Sequence, residues 1–265
     1  MNQVSSIPVL DVPIYNGNIK SFFELLNQDI LSGEKLNRQV SFCDANVLVS
    51  SMKNNQLKEL LINDTYLNMP DGMPNVWMGK LKGARNIDRC YGPDVFEYIL
   101  RNTADNKEVH HFFTGGKEGG AELLKGHCES EFNNHNIKGV HCPPFRELTE
   151  DEIKSIAQEI NELETDIVWI GISSPKQDFY ASRLRKYLNV HYVFTIGAAF
   201  DFYTGQVKQA PKIVQRSGFE WFYRILAEPK RMFKRYLSVV PSFIYYNFLD
   251  LFKNRSKPFN DEAVV

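Results

Sequence analysis

The chain lacks the marks of several large protein classes. It has four cysteines in 265 residues, Cys43, Cys90, Cys128 and Cys142, with no C-x-x-C pair and no zinc-type spacing. Free thiols are therefore expected. The amino terminus, MNQVSSIPVL, has neither a basic n-region nor a long apolar h-region, so no signal peptide is expected and a cytoplasmic setting follows. No stretch supplies the roughly 18 apolar residues of a membrane span. The nearest, YLSVVPSFIYYNFLDLF at 236–252, is broken by Pro241, Asn247 and Asp250. A net charge of −1 gives no global field for nucleic acid, which is not expected as a partner. There is no D-x-D, the usual sign of a metal-held nucleotide diphosphate, and no G-x-x-x-x-G-K-[ST]. The adjacent His110 and His111 would alternate between strand faces, one core and one surface, and make no metal pair.

What is present is an ordinary globular composition, 43% hydrophobic and 24% charged, patterned as strands alternating with helices. VSFCDAN (40–46), HHFFTGG (110–116), DIVWIGI (166–172) and HYVFTIG (191–197) read as buried strands. NIKSFFELLNQDILSG reads as a helix with Phe22, Phe23, Leu26 and Ile30 on one face and Gly33 as its stop. GPDVFEYILRN reads as another, with Pro93 near its start. Thr149-x-x-Glu152, Ser174-x-x-Gln177 and Ser217-x-x-Glu220 each read as a capping box. The alternation predicts an α/β, Rossmann-like, mostly parallel sheet flanked by helices. Strand patterns stop before KQAPKIVQRS (208–217). The division expected is a catalytic α/β domain over 1–210 and a helical, basic and aromatic appendage over 211–265.

Ligands of such sheets bind beyond the carboxyl ends of the strands. FFTGGKEGGAELL places Gly115 and Gly116 in a strand–loop–helix turn that can cradle an anion or merely turn the chain. In GISSPKQDFY, Gln177 either meets a sugar or base or only closes its capping box. Asp201, after the fourth strand pattern, can bind ribose or a uracil edge, or sit in a turn with Gly205. Arg224, Arg231 and Arg235 are spaced seven and four apart, so one helical face can present all three unless Pro229 breaks the phase. Arginine forks suit a diphosphate. The same segment, with Lys230, Lys234, Lys253, Arg255 and Lys257 among aromatics, also suits a membrane surface. NMPDGMPN sets Asp71 between two prolines with Gly72 behind it; the residues alone read as a good turn.

Six segments in order, NMPDGMPNVW, DRCYGPDVF, FFTGG, GISSPKQDF, GAAFDFYTGQVKQAP and FEWFYRILAEPKRMFKRY, resemble the WecG/TagA/CpsF family of bacterial glycosyltransferases, from about residue 7 to about residue 240. The resemblance implies an inverting, metal-independent transfer of a sugar, often of the N-acetylmannosamine type, from a UDP donor. The implied acceptor is a polyprenyl-diphosphate-linked N-acetylglucosamine at the cytoplasmic membrane face. Teichoic acid, enterobacterial common antigen or capsule assembly would use the product. It implies Asp71 as the catalytic base, with Asn46, Arg89 and Gln177 at the site and Arg224, Arg231 and Arg235 closing over the donor diphosphate. No cofactor is expected. Peripheral attachment to the inner membrane face through the C-terminal tail is expected, and a homo-oligomer is left open. The sequence departs from the family pattern at Gln209 (QAP for RAP), at Asp178 (PKQD for PKQE) and at Asp44, where threonine is frequent. Two other classes stay open: a non-catalytic membrane-associated scaffold, and a dinucleotide-dependent oxidoreductase using Gly115 and Gly116.

Overall fold

A computed structural model describes residues 4–253 except Ala198, Gln206 and Glu228, with Arg231 and Lys253 described in backbone only. A hairpin, β1 (Ser6–Val9) and β2 (Val12–Tyr15), precedes α1 (Ile19–Ser32) and β3 (Arg38–Cys43). Next come α2 (Ala45–Ser51), α3 (Asn55–Glu59), a π turn (Leu60–Asp64), β4 (Leu67–Pro70), α4 (Met73–Leu81) and α5 (Gly92–Asn102). The second half alternates β5 (His111–Gly115), α6 (Gly120–Glu131), β6 (Ile137–His141), α7 (Glu150–Glu162), β7 (Ile167–Gly171), α8 (Lys176–Leu184) and β8 (Tyr192–Thr195). After β8 the described elements are all helices: α9 (Ala199–Tyr203), α10 (Lys212–Arg216), α11 (Glu220–Ala227) and α12 (Pro229–Lys253).

One eight-stranded sheet runs β1-β2-β4-β3-β8-β7-β5-β6. Only the β1–β2 pair is antiparallel, so the expected mostly parallel α/β sheet is the observed one. The four expected strands are β3, β5, β7 and β8. The sequence reading missed β1, β2, β4 and β6. The hairpin hides behind Pro8 and Pro13, and its turn uses Leu10 and Asp11 at positive φ (52° and 69°) where glycine or asparagine is the usual signal. β4 is a four-residue run, LNMP, too short to show alternation.

α1 forms as expected: Asn18 and Ser21 build its capping box, Gly33 ends it at φ 73°, and Phe22 and Leu26 are buried. The Thr149–Glu152 box is also present. The other two are not. α8 begins at Lys176 after the cis Ser174–Pro175 bond, and Gln177 turns inward instead of back to Ser174. At the head of α11, Ser217 Oγ accepts from the Phe219 N–H, and the Glu220 carboxylate leaves for other partners. His111 is fully buried, bonded to Thr103 and Trp169, and its imidazole is held neutral by burial, its pKa down to about 3. His110 lies just before β5 and is half-buried, so one histidine is in the core and the other is nearer the surface. All four cysteines are free.

The core lies on both faces of the sheet. Trp169, Tyr192, Phe194 and Phe22 pack on one. On the other, Val239 and Phe243 of α12 join Val47, Leu48 and Val76, so the C-terminal helix completes a core cluster of the α/β body.

Candidate active site

β3 and β4 lie side by side and end together, Cys43 against Pro70. Asp71 is therefore the first residue past a strand's carboxyl end, where the fold places ligands. Its backbone is anchored twice: its N–H donates to the Cys43 carbonyl at 3.1 Å, and its own carbonyl accepts from Arg89 Nε at 3.1 Å. Its carboxylate Oδ1 accepts the Gly92 N–H at 2.8 Å. Gly92 lies beside β8's exit, where a Cβ would make an ordinary contact, 3.4 Å from the Ile196 carbonyl.

Asp71 is half-buried in a cleft whose walls include Asp44, Asn46, Arg89, Tyr91, Glu220 and Arg224. Loss of water pushes its pKa up to about 7, and the neighbouring Asp44 carboxylate adds to this against the Gly92 N–H and the Arg89 charge. The ordinary aspartate value of roughly 3.9 does not hold here. A carboxylate poised near neutrality is suited to accept a proton.

The cations come from both halves of the chain. Arg89 stacks on the Tyr91 ring at 4.0 Å and gives its Nη2 to Glu220 Oε2 at 2.5 Å. Arg224 lies 3.1 Å from Glu220 Oε1, donates to the Tyr91 hydroxyl at 3.2 Å and sits over the Phe202 ring. Arg235 pairs with Asp44 at 3.1 Å, and its Nε is buried with no acceptor. Pro229 opens α12, so Arg224 and Arg235 stand on different helices. The packing of Trp221 on Tyr236, ring centroids 6.1 Å apart, brings those helices together, with Arg224 lining the cleft and Arg235 beside it on Asp44. The single helical face drawn from their spacing is thus corrected to two helices meeting. The Arg231 side chain, and Arg255 and Lys257, lie outside the described residues.

Other expected residues form a neighbouring cluster at the exits of β5, β7 and β8. Gly115 and Gly116 have φ of 117° and 79°; a Cβ on Gly115 would lie 2.9 Å from the Gly171 backbone, and the Gly116 N–H donates to the Gly171 carbonyl at 2.8 Å. Close strand packing accounts for Gly115, and its positive φ accounts for Gly116. Gln177 is buried, donates to the Thr195 carbonyl at 2.9 Å and leaves its Oε1 unpartnered beside Gly197. It does not line the Asp71 cleft. Asp201, in α9, is half-buried on this second cluster. Next to it Phe202 touches the Tyr91 ring, so the two clusters share one rim.

Each departure from the family pattern has a place. Asp44 caps α2 and holds Arg235. Asp178 is buried among Ser174 and Thr195, and burial raises its pKa. Gln209 is exposed. The residue that sequence reasoning missed is Glu220, taken for the end of a capping box. Two arginine partners distinguish it; Arg224 stands one helical turn on, but no local pattern shows Arg89.

The free volume of the cleft is about 90 Å³. Small-molecule sites usually have roughly 300–1,000 Å³, so the cleft with α10, α11 and α12 packed against it is smaller than such a site.

The sequence profile of the Glycosyl transferase WecG/TagA/CpsF family matches residues 7–257. The chain is similar to the N-acetylglucosaminyldiphosphoundecaprenol N-acetyl-beta-D-mannosaminyltransferase of Bacillus subtilis, 27% identical over 229 residues, covering 86% of each chain. It is also similar to the protein of the same name from Bacillus spizizenii, 25% identical over 233 residues, covering 88% of this chain and 87% of the relative.

Proposed function

Since the chain belongs to the WecG/TagA/CpsF family and is a glycosyltransferase, we propose that it moves an N-acetylmannosamine-type sugar from a UDP donor to an N-acetylglucosaminyl-diphospho-polyprenol. The relatives' names carry the sugar and the acceptor class. The residues carry the chemistry. The ionised Asp71 carboxylate takes the proton of the acceptor hydroxyl as that oxygen bonds to the anomeric carbon. The bond from that carbon to the UDP oxygen breaks, its electron pair leaves on the diphosphate, and the anomeric configuration inverts. Arg224 and Arg235 meet the charge that develops there, the part a metal ion plays in other transferases. The observation that supports this most is a carboxylate with its pKa near 7 in the same cleft as Arg224, with Arg235 at its edge.

UDP release by the full chain tests the reading, with UDP-N-acetylmannosamine, a lipid-diphosphate N-acetylglucosamine and EDTA present. Acceptor-dependent release that survives EDTA is expected. Its rate should climb with pH through about 7 and level off above, because only the ionised carboxylate accepts a proton. A flat profile between pH 5 and pH 9, or release abolished by EDTA, would remove the mechanism.

The acceptor's lipid calls for a membrane surface, and α12 carries a suitable face. Its core side holds Met232, Val239 and Phe243, while Phe233, Leu237, Ile244, Phe248 and Phe252 form an exposed stripe at helical spacing. Among the described residues no helix is long and apolar enough to cross a membrane. We read the stripe as lying on the bilayer, with the exposed Lys230 and Lys234 toward the headgroups. Replacing Ile244 and Phe248 together by serine should weaken binding to anionic vesicles at least about tenfold, at roughly 1–2 kcal/mol per buried side chain. Unchanged co-sedimentation would refute this.

A further inference from the structure

Every guanidinium nitrogen of Arg89 already has an acceptor within the folded chain. Its Nε is on the Asp71 carbonyl, its Nη1 on Gln215 Oε1 at 3.2 Å and its Nη2 on Glu220 Oε2 at 2.5 Å. Only 8% of its side chain is exposed. The three acceptors come from three places: the loop after β4, α10 and the start of α11. Gln215 is itself pinned, its amide nitrogen donating to the Ala210 carbonyl at 2.7 Å. Glu220 is pinned by the Tyr91 hydroxyl at 3.1 Å and by Arg224. A guanidinium is a rigid plane, so the two C-terminal partners set its angle, and that angle sets where it holds the Asp71 backbone.

The arrangement differs from a plain staple between parts of the fold. Such a staple exists elsewhere: Asp250 of α12 accepts from Lys82 and from the Leu10 N–H, tying the helix's far end to the β1–β2 turn without touching the cleft. At Arg89 the joint ends on the loop that carries the reacting carboxylate.

We propose that Glu220 and Gln215 are positioning residues that grip Arg89 and through it fix the Asp71 loop, so that the base is set in place as the C-terminal helices close on the cleft. This rests on the reading of Asp71 as the base. It gives closure a chemical consequence: a nucleotide sugar enters a cleft whose base is not yet set, and the docking of α10 and α11 completes it.

The test uses two substitutions that conserve charge, so that Arg89 is their route to Asp71. Glu220→Asp withdraws the carboxylate by one methylene. Gln215→Met removes an acceptor at constant bulk. Asp71 faces Asp44 from α2, Cys43 from β3, Arg89, Cys90 and Tyr91 from the segment before α5, and Glu220 from α11. Of these Arg89 is the charge that favours its ionised form across the loop, so loosening Arg89 must move its titration upward. The Asp71 carboxyl, followed by carbon-13 NMR in the full chain, should titrate about half a pH unit higher in both variants. In both, kcat for UDP release should fall about tenfold, with the donor KM within about threefold. Asp250→Asn, which loosens only the far staple, should lower the melting temperature and leave the Asp71 titration in place. An unmoved titration in both cleft variants overturns the proposal, as does an equal shift in Asp250→Asn. Failure of the transferase reading would show separately, as no UDP release by the unaltered chain, while the titration still reports on the joint.

Discussion

Asp71→Asn should stop turnover while making the protein more stable. General-base catalysis contributes about 10²–10⁴ in rate, so kcat for UDP release should fall about a thousandfold. The amide keeps an oxygen for the Gly92 N–H and the shape of the side chain, so donor binding should persist. The stability change follows from linkage. In the folded chain the carboxyl has its pKa raised from 3.8 to about 7. The unfolded chain ionises first, so folded stability declines as pH rises from about 4 to about 7, and the whole penalty is present above that. Three units correspond to roughly 4 kcal/mol, and the water that reaches this half-buried carboxyl reduces it to about 2 kcal/mol. The neutral amide removes that penalty. The variant should therefore melt about 4–8 °C higher than the parent at pH 8 and close to it at pH 4. A scaffold without catalysis would show the melting shift and no other change, and a turn-forming aspartate would show neither. UDP release and thermal melts at the two pH values separate the three.

The same residue shows how far the sequence reaches. Buried parallel strands are legible from their β-branched and aromatic residues, and β3, β5, β7 and β8 stand out for that reason. β4 is as buried as they are, but its four residues include Asn68, which spends its amide on the Pro13 and Leu61 carbonyls, and Pro70. With β4 unseen, Asp71 looked like a turn; with β4 in place the same aspartate stands at a strand's exit, where catalytic groups belong. Capping boxes show the opposite failure. Ser217-x-x-Glu220 satisfies the local pattern, yet Glu220 gains more from two arginines and a tyrosine hydroxyl than from one backbone N–H. Those partners are more than a hundred residues away or one helical turn on, and local spacing cannot report the distant ones. The expected Ser174-x-x-Gln177 box fails for a related reason: the turn before α8 faces β8, so the Gln177 amide nitrogen is used inside. The arginines were found by their spacing and by the family resemblance, but how they converge depends on the break at Pro229 and on Trp221 meeting Tyr236.

Changing Arg224 and Arg235 together to alanine should affect the reaction even more than losing the base. The leaving diphosphate gains negative charge as its bond to the sugar breaks, and a cation matched to that charge is worth about 10²–10³ in kcat. Each single variant should lose about that much, and the pair about 10⁴ or more. In the unaltered protein both cations are balanced: Arg224 faces Glu220, Arg235 faces Asp44, and the buried Arg235 Nε has no acceptor. Their carboxylate partners keep these charges tolerable in a half-dry cleft before the donor enters. A diphosphate must then compete with Asp44 and Glu220, which moderates ground-state binding and leaves more of the attraction for the transition state. The losses should therefore appear in kcat, measured by rapid mixing with saturating donor and acceptor. Added guanidinium should restore part of the rate in the Arg224→Ala chain. Variants that raise the donor KM at unchanged kcat would make the arginines a binding clamp only, and the charge developing on the leaving group would then need another partner.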